Sequence, residues 1–135
     1  MWPVGVAILY ALFVWWFSTG LILILVRMRR DWHGLATIGL SVVTVMSLIG
    51  LYATRGNATP EGAFAGFTYA IVAWAWLEAT FLYGFITGPR KIACPPGAKG
   101  LERLSAAWSA VSHHEIAILI GGILMVALSW GADNQ

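Results

Sequence analysis

Four ionisable side chains lie within apolar stretches of this 135-residue sequence. Glu78 interrupts the run AIVAWAWLEATFLYGF, and His113, His114 and Glu115 open the run HHEIAILIGG. Carboxyl and imidazole groups transfer protons, bind metal ions or pair with each other. Because an ionisable group is costly inside a membrane, it usually faces a protein interior and has a definite partner there. These four residues are therefore the candidates for a functional site.

The spacing of the four residues restricts how they can combine. Successive residues of a helix point about 100° apart, so His113, His114 and Glu115 do not converge on one spot. At most one or two of them face inward. We expect His114 to meet Glu78 between the third and fourth helices, with His113 or Glu115 turned toward the lipid headgroups.

Three kinds of chemistry stay open for these residues. The first is a buried His–Glu pair that fixes helix packing. The second is axial ligation of a tetrapyrrole metal, in haem or chlorophyll, by a neutral imidazole. The third is a non-haem metal site with His33 as a further ligand, but the HExxH and ExxH helical motifs are both absent. The sequence disfavours the third and indicates no catalytic residue.

The amino-acid composition indicates an integral membrane protein, whose surface is largely surrounded by lipid. Hydrophobic residues make up 59% of the sequence and charged residues 10%, and the mean hydropathy is +0.77. A soluble domain carries about 25% charged residues. The chain has eight tryptophans, and this residue type is enriched where the hydrocarbon core of a membrane meets the lipid headgroups. Cys94 is the single cysteine, which excludes an internal disulfide.

Four apolar runs, at residues 4–26, 35–53, 63–86 and 111–130, position the candidate residues. Each run is close to the roughly 20 residues that a helix needs to cross a bilayer. A membrane β-barrel would instead show alternating polarity. The predicted fold class is an all-α polytopic membrane protein, with residues 1–135 forming one membrane domain. Residues 101–112 read as a helical segment that leads into the fourth span.

The basic residues indicate the orientation of the spans. Seven of the eight lie in the connections 27–34 and 87–110, which predicts that both connections are cytoplasmic and both termini periplasmic. We expect the longer connection to contact cytoplasmic partners or anionic lipid. Its candidate contact residues are Arg90, Lys91, Cys94, Lys99 and Arg103. The same clustering argues against nucleic acid as a partner.

Two pairs of glycines indicate close contact between helices. Gly62 and Gly66, and likewise Gly84 and Gly88, are four residues apart and fit the small-xxx-small pattern of membrane helix interfaces. The sequence therefore favours assembly with other helices over a free monomer.

Several strings together resemble a known family. They are ALFVWWFSTG at 11–20, FLYGFITGPRK at 81–91, CPPGAKG at 94–100 and HHEIAI at 113–118. In this order and spacing they resemble the PuhE-type photosynthetic complex assembly proteins, encoded in the puh operon of purple phototrophic bacteria. Members of that family are about twice as long, so the resemblance covers their N-terminal half. Their third span carries Trp-His-Glu where this chain has Trp76-Leu77-Glu78, so one histidine is missing here.

The resemblance implies a multi-pass protein of the bacterial inner (intracytoplasmic) membrane. Such a protein assists assembly or stabilisation of the reaction centre–light-harvesting 1 complex through helix–helix binding, as a transient factor or a resident accessory subunit. The implied partners are reaction centre and light-harvesting 1 subunits and the lipid membrane, and the implied cofactor is bacteriochlorophyll. We expect no enzymatic activity. The alternative is a subunit or enzyme of bacteriochlorophyll metabolism or delivery that uses Glu78, His113, His114 and Glu115.

Overall fold

The computed structural model describes residues 4–86, 88 and 93–133, and the regular secondary structure within these ranges is helical. Four long helices follow one another: α1 (Val4–Arg27), α2 (Arg30–Thr54), α3 (Pro60–Tyr83) and α4 (Gly100–Ser129). Each is long enough and apolar enough to cross a membrane. The predicted four-helix architecture is thereby confirmed, and the side on which the termini lie stays a prediction.

Local signals explain where α3 begins and ends. The Thr59 hydroxyl accepts a hydrogen bond from the backbone N–H of Gly62, and Pro60 occupies the first helical position. The helix ends at Tyr83 because Gly84 adopts a left-handed conformation with φ of 72°. Glycine reaches that region without strain, whereas other residues do not. The predicted end at residue 86 was wrong for this reason.

The other helices extend beyond their apolar runs. α2 begins at Arg30 rather than at 35, and α4 begins at Gly100 rather than at 111. The predicted connections 27–34 and 87–110 are therefore shorter in the structure, at 28–29 and 84–99. Hydropathy detects only the apolar part of a helix, while the residues before it (GLERLSAAWSA) are mostly good helix formers. At 1.5 Å per residue, α4 is about 45 Å long.

The central helix is α3, which contacts α1, α2 and α4 and packs most extensively against α2. Its buried residues are mainly small and include Ala79 and Thr80, both with no exposed surface. Small side chains let helix backbones approach closely. In contrast, α1 buries Ile22 alone and α4 buries His114 alone. The core of the molecule is thus the α2–α3 contact, with α1 and α4 packed less completely around it.

Hydroxyl groups line the face of α2 that packs against α3. The Thr37 hydroxyl donates to the His33 carbonyl at 2.8 Å, and the Ser41 hydroxyl donates to the Thr37 carbonyl at 2.7 Å. Trp76 of α3 then donates its indole N–H to the Ser41 oxygen at 2.7 Å. Each donor has a partner in a region without bulk water, and the indole bond joins α3 to α2.

The glycines proposed for helix packing have different roles. Gly62 and Gly66 are both buried on α3, as the pattern predicts. A Cβ at Gly62, however, would collide with Asn57 in the preceding connection and not with another helix. Gly84 and Gly88 lie beyond the end of α3, so they do not form a helical face. The left-handed Gly84 stops the helix first, so the small-xxx-small spacing does not place the two glycines on one helix, and their role in packing stays a prediction.

Two other glycines mark close approaches between helices. A Cβ on Gly50 of α2 would lie 2.6 Å from the nearest ring atom of Tyr69 of α3. A Cβ on Gly121 of α4 would lie 2.9 Å from the Leu77 Cδ1 atom. The next residue, Gly122, faces open space.

The two ends of the bundle differ in charge. At one end, the N–H of Asp133 donates to the Arg55 carbonyl at 2.8 Å, which joins the residues after α4 to the α2–α3 connection. The other end holds the remaining described basic residues and the exposed Cys94. These basic residues are Arg27, Arg29, Arg30, Lys99 and Arg103. The predicted contact residues Arg90 and Lys91 lie outside the described residues.

Candidate functional site

Glu78 and His114 lie next to each other between α3 and α4. The His114 Nε2 and Glu78 Oε1 atoms are 3.9 Å apart, which is longer than a direct hydrogen bond. The His114 side chain is 9% exposed and the Glu78 side chain 32%. The structure thus brings together the two residues that the spacing paired, with the imidazole inside and the carboxyl partly open to the surroundings.

An aromatic side chain holds the imidazole in place. The ring of Phe81 stacks on that of His114, with 4.1 Å between centroids and 21° between planes. The Nδ1 atom of His114 is buried and has no hydrogen-bond partner among the described residues. A buried polar atom without a hydrogen-bond partner lowers the stability of the folded protein. The Nδ1 atom of His114 is therefore an unsatisfied polar group in the α3–α4 contact.

The neighbours of His114 point away from the pair. Both His113 and Glu115 are exposed. Because each lies about 100° around α4 from His114, they stand on opposite flanks of the helix. The four candidates therefore divide into one interior pair and two separate outward groups. In the described ranges, no three His, Cys, Asp or Glu side chains are close enough to hold a metal ion.

The orientation of His114 partly matches that of a metal-ligating histidine. Such a histidine usually directs one ring nitrogen at a carboxylate and the other at the metal. Here Nε2 faces Glu78, and Nδ1 is the nitrogen left for a metal. However, His114 is 7% exposed as a whole and Phe81 covers a face of its ring. In this arrangement His114 offers no open position to a tetrapyrrole and does not fit axial ligation of bacteriochlorophyll, whereas the exposed His113 stays a candidate.

His33 belongs to a separate aromatic group at the basic end. Its Nε2 atom lies 3.1 Å from the Met28 carbonyl oxygen. Its ring stacks on Tyr83, with 4.5 Å between centroids, and Phe85 meets it edge-on at 6.4 Å. His33 was predicted only as a further metal ligand, and its stacking on Tyr83 was not foreseen. No sequence pattern signals this stacking, because it depends on the relative position of α2 and α3.

An apolar groove of about 400 Å³ lies between α2, α3 and α4. Trp76 and Leu77 of α3 and Gly121 of α4 form part of its wall. The hydroxyl oxygen of Thr44, also in the wall, is buried and unpartnered within the described part of the chain. The groove depends on how three helices are arranged, which hydropathy does not reveal.

Fold and site together define an all-helical protein with four helices long and apolar enough to span a membrane, and with a His–Glu pair between the last two. The chain belongs to the family described as "Protein of unknown function (DUF3623)", whose model matches residues 1–135.

The chain is also 38% identical over 132 residues to the "Uncharacterized 30.4 kDa protein in puhA 5'region" of Rhodobacter capsulatus. The similarity covers 94% of this chain and 48% of the relative, so the chain spans about half the length of that curated protein. No solved structure matches the chain. The relative is consistent with the predicted resemblance to a puh-operon protein, and the PuhE assignment itself stays a prediction.

Proposed function

We propose that the chain assists assembly or stabilisation of the bacterial reaction centre–light-harvesting 1 complex by binding other membrane helices. The name of the Rhodobacter capsulatus relative refers to the 5' region of puhA, which supports a link to photosynthesis genes. The resemblance to PuhE-type proteins supports the choice of partner. The proposed location is the inner (intracytoplasmic) membrane, with both termini periplasmic.

The observation that carries this proposal is the uneven burial of the four helices. α3 is packed against all three of its neighbours, whereas α1 and α4 each bury one residue. Their outer faces carry large exposed side chains such as Trp16 (71%) and Leu119 (63%). Membrane helices associate through van der Waals packing of such faces. The chain therefore has two helices available for contact with other proteins.

The arrangement of the ionisable side chains supports binding over catalysis. Acid–base or metal chemistry needs several groups that converge on one substrate position. Glu78 and His114 form the interior pair, while His113 and Glu115 face outward on different flanks. The interior pair is suited to orienting α4 against α3, and the outward groups are suited to contacts beyond the chain.

The proposal is tested by purification from phototrophically grown membranes. A tagged chain is extracted gently, and the protein content and absorption spectrum of the purified fraction are recorded. We expect reaction-centre and light-harvesting 1 subunits to be recovered with it. Deletion of the gene should lower the amount of assembled complex per cell, with pigment content per complex unchanged. An unchanged amount of complex after deletion would refute the proposed function.

A role in bacteriochlorophyll metabolism or delivery is the second candidate. It is supported by the unpartnered Nδ1 atom of His114, and it requires α4 to move so that this nitrogen becomes accessible. The replacement His114→Leu distinguishes the two candidates. Altered pigment composition or accumulated pigment precursors would favour the second, while normal composition with reduced complex yield would favour assembly. His113→Leu, at the exposed neighbour, is the matched control.

A further inference from the structure

An exposed carboxyl and an open groove share one face of α4. Glu115 is exposed, although it directly follows the buried His114. Ile118, Leu119, Gly122 and Val126 follow it at spacings that bring residues to the same side of a helix. All four line this groove, which is a shallow, open surface of α4 rather than an enclosed pocket. We call Glu115 and these four residues the Glu115 face.

The depth of Glu115 follows from two positions in the structure. His114 lies beside Glu78, which is five residues, or about 7.5 Å, from the end of α3 at the basic end of the bundle. Counting back from Ser129 at the other end, about 30 Å of hydrocarbon holds about 20 residues and begins near residue 110. Both estimates of depth place Glu115 inside the hydrocarbon core of the membrane. The residue lies one to two helical turns from the boundary of that core at the basic end of the bundle.

Glu115 has no ion-pair or hydrogen-bond partner within residues 4–86, 88 and 93–133. The basic side chains in these ranges stand at helix ends or in connections. The one that lies on α4 itself, Arg103, precedes Glu115 by twelve residues, or about 18 Å along the axis. A carboxyl at this depth is costly when it faces lipid, and a short side chain does not extend to the interface as Lys or Arg does.

We propose that the Glu115 face docks one transmembrane helix of another protein, which carries Arg, Lys or His at the depth of Glu115. The charge of the carboxyl selects a cationic or hydrogen-bond-donating partner side chain. Gly122, where a Cβ would meet nothing within 4 Å, allows the partner helix to approach closely. This inference rests on the proposed function for the idea that partners are membrane helices, and it adds the face and the partner's chemistry.

A second copy of the chain does not suit the same face. A twofold axis along the membrane normal would place Glu115 of one copy against Glu115 of the other, and like charges repel. Within the described ranges, the chain offers no Arg or Lys at this depth to pair with it, and His113, which is at this depth, lies on the opposite flank of α4 from Glu115. We therefore assign the complementary charge to a different protein, and a crosslink from position 119 within the same polypeptide would overturn this assignment.

The test uses the full chain in its native phototrophic membranes, with a photo-crosslinking amino acid at Leu119 on the face. The matched control carries it at Ile120, which is similarly exposed (61% against 63%) but rotated by about 100°. We expect position 119, and not 120, to give an adduct with a transmembrane peptide that contains Arg, Lys or His. Glu115→Leu should reduce this adduct at least about tenfold, the effect of losing a charged hydrogen bond. Glu102→Leu, at the exposed carboxyl in the first turn of α4, should leave it unchanged.

Charge exchange provides the decisive result. Glu115→Arg should abolish the adduct, and replacing the partner's cationic residue by Glu in the same cells should restore it. The inference is overturned if position 119 reacts only with lipid or with a second copy, if the partner segment lacks a cation, or if Glu115→Leu leaves the yield unchanged. Should Glu115→Leu fail to accumulate, Glu115→Gln, which retains the shape of the side chain, is assayed in the same way with the same criteria.

These outcomes are separable from those of the proposed function. A partner with the required cation that is unrelated to photosynthesis would refute the assembly function and leave the inference standing. A complex whose yield depends on the chain, but whose adduct is insensitive to Glu115, would refute the inference alone.

Discussion

The contact between α2 and α3 is filled by small side chains and includes a close approach at Gly50, whereas α4 contributes one buried residue to the bundle. Ala79 and Thr80 of α3 have no exposed surface, and the Tyr69 ring lies against Gly50. On α4, His114 is buried while most of the residues after it are half-buried or exposed. This difference indicates that the contact between α2 and α3 stabilises the bundle. It also leaves α4 with exposed surface that is available for contacts with other proteins.

The same two regions differ in how their polar groups are satisfied. Between α2 and α3, the hydroxyls of Thr37 and Ser41 and the indole of Trp76 form a continuous series of hydrogen bonds. Between α3 and α4, the His114 and Glu78 side chains stay 3.9 Å apart. Satisfied networks fix one arrangement, and loosely paired groups permit adjustment. The hydrogen-bonded segment of Thr37, Ser41 and Trp76 is thus the fixed part of the α2–α3 contact, and α4 is the part suited to adapt to a partner. Elsewhere in the described part of that contact, the Thr44 and Tyr83 hydroxyls are buried without a partner.

The largest effect on stability is expected when a small side chain is replaced by a larger one in each of the two regions. Ala79→Leu forces a larger side chain into the cluster with Ile22 and Ala75, so we expect it to lower the free energy of unfolding by about 2–3 kcal/mol. The same change at the exposed Ala127 of α4 should alter stability by less than about 0.5 kcal/mol. Denaturant titration in mixed micelles measures both. Equal losses would show that α4 is packed as tightly as α3.

A medium effect is expected from single methyl groups at two glycines. Gly50→Ala places a Cβ against the rigid Tyr69 ring, which should cost about 1–2 kcal/mol. Gly122→Ala meets open space and should be neutral or stabilise by up to about 1 kcal/mol through helix propensity. The same titration compares the two variants. A loss at Gly122 in the isolated chain would contradict the open face on α4.

The smallest effect concerns the polar pairs and is measured by double-mutant cycles. Trp76→Phe and Ser41→Ala should show a coupling energy of about 0.6 kcal/mol, typical of hydrogen bonds between membrane helices. The cycle of Glu78→Gln and His114→Gln should give less, because 3.9 Å exceeds hydrogen-bonding distance. A larger coupling energy for Glu78 and His114 than for Trp76 and Ser41 would mean that the polar pair holds α4 in place. The two helix contacts would then not differ in how firmly their polar groups join them.

Hydropathy predicted the number and type of helices because a membrane span needs a long apolar run regardless of what it packs against. Hydropathy did not predict the helix ends, because backbone conformation and polar helical turns determine where a helix begins and ends. The left-handed Gly84 stopped α3, and the polar turns from Gly100 onward extended α4. A glycine after an apolar run is a known signal for a helix end, and giving it more weight would have placed the end of α3 correctly.

The candidate site was predictable in part. Depth along two antiparallel helices was enough to pair Glu78 with the histidines, and helix geometry limited how many of them face inward. His114 was the expected partner of Glu78, but deciding firmly between His114 and His113 needed the rotation of α4 about its axis, which its nearly uniform apolar sequence does not encode. The stacking of His33 on Tyr83 likewise depends on the relative position of α2 and α3.

The central position of α3 also determines the order in which the molecule is completed during synthesis. α1 and α2 leave the ribosome first but have little direct contact with each other, so neither is held firmly until α3 follows. Arrival of α3 allows the contacts of all three helices to form together. Of the four described helices, α4 is made last and joins a unit that already exists. The surface left open for other proteins is therefore the last part of the described helices to appear, when the rest of the bundle is ready to present it.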